Sequence, residues 1–236
     1  VLVVSPRDNI SRLREVLLVP DLSVAEMEAM EARIDGLGYS ALVVRLGGFG
    51  GLYPSLVAES ASLTFLVQTA TEEWLHQYLA FTPLGFRYVL HLLSIARSYE
   101  VVTLNETTAP IISEEICAEV LTRYYPALLP AESPGPETEE DPTAFSFDRE
   151  MRTIRLRVDD LLAQDRIDEA EAYMTECRDY LAEHGYHIRK LNQAYFAFHG
   201  TYAAEPASVD PIGEEVRALR AQSASLSAFL NCKAGI

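Results

Sequence analysis

Thr71-Glu72-Glu73-Trp74-Leu75-His76-Gln77 lies inside a long helical pattern, Ser62 to Phe81. There Leu63, Leu66, Val67, Ala70, Trp74, Leu75, Tyr78 and Leu79 supply a broad apolar face. Residues four apart on a helix share a side, so Glu72 and His76 project together. Glu73 turns about 100° from Glu72 and stays beside the same point. Two ligand-type side chains one turn apart, with a carboxylate next to the first, suit a metal-activated water. The ligands hold the ion, the ion lowers the water's pKa toward neutrality, and the carboxylate takes the proton. Glu72 and His76 are therefore candidate metal ligands and Glu73 a candidate general base.

A catalytic site of this kind takes three protein ligands and keeps one position open. Glu106 is the strongest candidate for the third. It stands in Leu104-Asn105-Glu106-Thr107-Thr108-Ala109, thirty positions after His76, at the mouth of a helix expected over Thr107 to Tyr125. A helix over Phe86 to Arg97 gives the chain a route out and back. Pro110 tests this placement, because proline suits a first turn and kinks a helix interior.

Further out, Val1 to Val4, Leu17 to Val19 and Ala41 to Leu46 read as short strands, and Ser23 to Leu37 as a capped helix. Gly47-Gly48-Phe49-Gly50-Gly51 lacks the spacing of a phosphate loop and reads as backbone beside a site or hairpin. Pro130 to Thr143 is rich in proline and acid, a loop or linker. After it come helices over Asp148 to Ala163, Ile167 to His184, Ile188 to Tyr202, one opened by Asp210-Pro211, and Ser225 to Asn231. Early strands and later helices make the fold class α+β. The expected organisation is a first domain over 1–129, an acidic proline-rich loop over 130–145, and a helical part over 146–236 packing on the first.

The net charge of −16 argues against nucleic acid, whose phosphates need a basic surface, and against direct contact with an anionic membrane face. Cys117, Cys177 and Cys232 form no CxxC pair, so a cysteine zinc site is not expected. No GxSxG elbow occurs. No run of about 18 uncharged apolar residues exists to span a bilayer. The chain starts at Val1 rather than Met, which reads as a fragment. An extracytoplasmic domain of a membrane-anchored bacterial protein is one expectation for it.

Glu73 and His76 followed by Asn105, Glu106 and Ala109 resemble the pattern of the gluzincin zinc metallopeptidases, an HExxH helix followed by an N-E-x-x-A helix. Trp74 through Gly85 also resembles the active-site helix of bacterial peptidase-like proteins with this plan. The specific likeness covers roughly residues 40 to 120. It implies a zincin-like domain whose small mixed sheet has an edge near Val43 to Tyr53 that holds a peptide or protein substrate. It also implies zinc as cofactor on Glu72, His76 and Glu106, with Glu73 as general base. The sequence departs from the pattern at Glu72, where the family has histidine. The added negative charge makes zinc a weaker Lewis acid and favours harder ions such as manganese. Two readings stand: a metal-dependent peptidase, or a peptidase-like binding module that has lost zinc and uses no cofactor. A helical scaffold unrelated to peptidases is the plainest alternative.

In the second half, Asn192, Tyr195 and His199 share a helix face. Tyr195 is a candidate catalytic residue, a phenol that would stabilise an oxyanion. The structural reading makes Tyr195 and Phe198 core and His199 a satisfied polar edge. His91, His184 and His187 have no partner at ligand spacing and read as structural or surface.

Overall fold

A computed structural model of the chain describes residues 1–49, 54–93, 95–96, 98–128, 145–203 and 205–233. The proline-rich segment expected over 130–145, apart from Phe145, lies outside these residues. So do Gly50, Gly51 and the expected substrate edge from there to Tyr53. The architecture is α+β and mostly helical. It divides into two compact units that interleave along the chain: 1–45 with 145–210, and 46–144 with 211–236. This differs from the expected succession of 1–129 and 146–236, because the early sheet packs with a helix from the second half of the chain.

The first unit is built on an antiparallel sheet of β1 (Leu2–Pro6), β2 (Arg14–Val16) and β3 (Tyr39–Val43), in the order β2-β1-β3. β1 pairs with β3 from Leu2↔Val43 to Pro6↔Tyr39. The second strand falls before Leu17 to Val19, where Leu17 and Val19 stand exposed. Helix α1 (Val24–Asp35) packs on β3. Ser23 starts it with a reciprocal capping box: its hydroxyl accepts from the Glu26 N–H, and Glu26 reaches back to the Ser23 N–H. Glu31 of α1 is buried, accepting from the Val43 N–H at 2.6 Å and from Arg189 at 2.5 and 2.9 Å. Burial alone would raise its carboxyl, but those bonds outweigh it and hold it below the usual carboxylate range.

Among the helices of the second half, α5 (Phe147–Ala163) and α6 (Ile167–Glu183) form a hairpin. Met151, Ile154, Val158, Met174 and Leu181 from their facing stripes are fully or almost fully buried in one cluster with Phe196. Helix α7 is Gln193–His199, shorter than the Ile188 to Tyr202 expected. Asn192 caps it by accepting from the Tyr195 N–H, and its amide donates to Ala41 O, which ties α7 to β3.

The second unit holds the TEEWLHQ helix. A two-stranded ribbon, β4 (Gly48–Phe49) paired antiparallel with β5 (Leu56–Val57), packs against α2 (Leu63–Leu79). Ser62 caps α2. Helix α3 is Pro83–Leu92, opening three residues before Phe86: Thr82 caps it and Pro83 takes the first helical position. Helix α4, Tyr99–Tyr124, is the central element, packing on α2, α3 and α8 (Ile212–Gln222), which in turn meets α9 (Leu226–Lys233). Between Val102 and Ser113 nearly every residue of α4 is buried, as expected of a helix covered on several sides. Among the described residues no helix is long and apolar enough to cross a membrane.

Candidate functional site

Helix α2 sorts its residues by face. Leu75 and Leu79 enter the core, each 1% exposed, and Trp74 and Tyr78 stack on each other on the outer side. Glu73 is buried at 8% exposure, while Glu72 and His76 are half-buried. The outward placement of Trp74 and Tyr78 narrows the broad apolar face expected from the sequence.

Glu73 lies directly beneath β4. A Cβ added at Gly48 would fall 2.7 Å from Glu73 Cγ and 2.8 Å from its carboxyl carbon, so only glycine lets the strand pass so close. The strand β4 therefore runs over the candidate base. Burial pushes the Glu73 carboxyl up to about 7; His76 opposes this, and the negative charges of Glu72 and Glu106 add to it.

The structure brings the two halves of the motif together. His76 Nδ1 and Asn105 Oδ1 are 2.7 Å apart. The amide oxygen is an acceptor only, so Nδ1 carries a proton and donates it. Tyr88 of α3 donates its hydroxyl to Glu106 Oε1 at 2.5 Å, and its ring stacks with the imidazole of His76, centroids 6.1 Å apart. Gly85 makes this corner possible, since a Cβ there would collide with the Leu79 carbonyl at the end of α2. Asn105 is fully buried; its Nδ2, like Thr103 Oγ1, has no hydrogen-bond partner among the described residues. A buried unpaired polar group costs about 1–3 kcal/mol. That cost is tolerated where the same side chain is needed for something else, here orienting His76.

Glu106 does not stand at a helix mouth. Helix α4 begins at Tyr99 and runs through Pro110. Proline has no N–H to offer the carbonyl four residues back, which is that of Glu106 itself. Ser98 makes the early start possible by capping α4 through the Val101 N–H.

No family model matches the chain, and no curated protein or solved structure matches it either. The likeness to gluzincins therefore rests on the motif residues and their placement.

The donor chemistry fits a divalent cation: one imidazole with its inner nitrogen fixed by Asn105, and carboxylates at positions 72 and 106. Among the described residues, however, no three His, Cys, Asp or Glu side chains are already grouped to hold a metal ion. Binding one would require carboxylates to turn.

Tyr195 and His199 belong to the first unit, their rings 4.3 Å apart. Burial, then the charge of Glu205, pushes the Tyr195 phenol up to about 12. Burial, then Arg12, holds His199 down to about 4. Arg12 donates to Ala197 O, Phe198 O and Thr201 Oγ1, closing the end of α7. His91 accepts from the Ser98 N–H and His184 stacks on Phe145. Cys117 and Cys177 are free and buried. Tyr88 and Gly48 were not legible as site residues, because their roles depend on which helix and strand fold back over α2.

Proposed function

We propose that the unit of 46–144 with 211–236 is a zincin-like hydrolytic domain that cleaves peptide bonds with a divalent cation, zinc or manganese, as cofactor. The observation that carries this reading is the meeting of His76, Asn105, Tyr88 and Glu106 from three helices beside a buried Glu73. His76, Glu106 and Glu72 would hold the cation. When bound, it would polarise the substrate carbonyl and lower the pKa of water.

A peptide laid along β4 would pass beside Glu73, because Gly48 holds the strand against that carboxyl. Glu73 accepts the proton of the attacking water and returns it to the departing amine nitrogen. The same buried carboxyl beneath β4 serves both transfers. Asn105 keeps His76 in the tautomer that presents Nε2.

A second reading is favoured by the ungrouped ligands: a peptide-binding module that keeps the plan without the metal. Metal counting by mass spectrometry after zinc or manganese supplementation separates the two. The hydrolytic reading expects about one ion per chain, lost in Glu106→Ala and kept in Glu73→Gln. Hydrolysis of a fluorogenic peptide library should fall by roughly 10²–10⁴ in Glu73→Gln. An ion-free wild-type protein that still binds peptides would establish the second reading.

A further inference from the structure

We propose that Tyr88 is the positioning residue that sets the cation affinity of this site, by fixing the carboxylate of Glu106. The inference rests on the hydrolytic reading above. Tyr88 touches both motif residues, His76 through its ring and Glu106 through its hydroxyl. It stands on α3, which Thr82, Pro83 and Gly85 turn back sharply from the end of α2.

The two candidate ligands are held in the same way. The inner nitrogen of His76 is engaged by Asn105, which leaves Nε2. Oε1 of Glu106 is engaged by Tyr88, which leaves Oε2. Each group thus has one atom fixed by an outer partner and one atom to offer an ion. The hydroxyl donates to Oε1 across a short separation of 2.5 Å. A glutamate has three side-chain torsions to immobilise, and this bond restrains its far end. Stacking against His76 limits where the phenol itself can go.

The test compares the full chain with its Tyr88→Phe variant, which keeps the ring and removes the hydroxyl. Manganese binding is read from the loss of the free-ion paramagnetic resonance signal, with thermal unfolding as control. The expected result is a Kd raised about 10–100-fold with little change in melting temperature. Equal manganese affinity in the two proteins would overturn the proposal.

If the wild-type chain binds neither manganese nor zinc, the hydrolytic reading fails by itself. Tyr88 is then judged by a double-mutant cycle of Tyr88→Phe and Glu106→Gln on unfolding. A coupling of about tenfold or more in the unfolding constant keeps it as the residue that positions Glu106. Additive effects would refute that too.

Discussion

Replacing Glu73 with glutamine should stabilise the second unit at alkaline pH and leave it nearly unchanged at acid pH. The carboxyl is 8% exposed, and burial first, then Glu72 and Glu106 against His76, raises it from 4.5 to about 7. In the unfolded chain it titrates near its ordinary value. Between the two pKa values the folded state holds a proton that the unfolded state has lost, so stability falls as pH rises. The penalty is absent well below pH 4.5 and complete above about pH 7. At about 1.4 kcal/mol per unit the span corresponds to roughly 3 kcal/mol, and water reaching the cleft brings it nearer 2. Glutamine has the same shape and no charge, so it removes this penalty alone. Trp74, the single tryptophan, sits next to Glu73 on α2 and reports the unfolding of that helix by fluorescence. Urea titrations of both proteins in chelator, at pH 5 and pH 8.5, give the difference. A stabilisation of about 2–3 kcal/mol at pH 8.5 that falls below about 1 kcal/mol at pH 5 is expected. A difference independent of pH would refute the claim that Glu73 is buried without a compensating cation.

Gly48→Ala should cost about 1–3 kcal/mol and abolish any peptide hydrolysis together, since the new methyl must displace either β4 or the Glu73 carboxyl; preserved activity would show that the strand has room. Gly85→Ala should separate α3 from the end of α2 and lower cation affinity as Tyr88→Phe does, checked by the same manganese titration. His199, held down to about 4, should keep a neutral ring to about that pH by proton NMR. As pH falls from 6.5 toward 4 the unfolded chain gains a proton the folded one refuses, so His199 should cost the first unit stability over that window, and His199→Gln should flatten the slope. Glu31 acts with the opposite sign to Glu73: its depressed carboxyl contributes stability above its ordinary 4.5 that is lost as pH falls through the folded value. Glu31→Gln should cost roughly 3–5 kcal/mol near neutral pH by leaving Arg189 without its carboxylate, measured by urea unfolding.

Much of the framework was legible because local signals agreed. Ser23 caps the helix it precedes, and the apolar runs at Val1 to Val4 and from Ala41 onward overlap the buried strands β1 and β3. The errors came where one residue had two readings. Pro83 was taken as the end of α2 and is the first residue of α3. Pro110 suits either a helix start near Thr107 or a bend in the chain, and α4, buried on several sides, runs through it from Tyr99. Proximity across sequence was legible only for the motif itself: Glu73, His76 and Glu106 do approach one another, while the residue that bridges them, Tyr88, has no periodic signature. The interleaved units were hidden for the same reason, since no local signal tells β3 that its partner helix α7 lies 150 residues on.

The substitution at position 72 acquires a physical meaning from this arrangement. With histidine there, the cleft would carry two carboxylates, Glu73 and Glu106, and the charge of a divalent ion would balance them. With Glu72 a third negative charge is added that works against Glu73 ionising, and the proton that burial keeps on Glu73 near neutrality is one partial remedy. A cation would be another, and it would drive that proton off, since a positive charge nearby favours the ionised carboxylate. Proton and metal thus compete for one cluster. Cation affinity should therefore rise with pH through the range near 7 where Glu73 titrates, and a Glu72→His chain should bind zinc with a weaker dependence. The absence of any pH dependence of binding in the wild-type chain would mean that Glu73 lies too far from the ion to serve as its base.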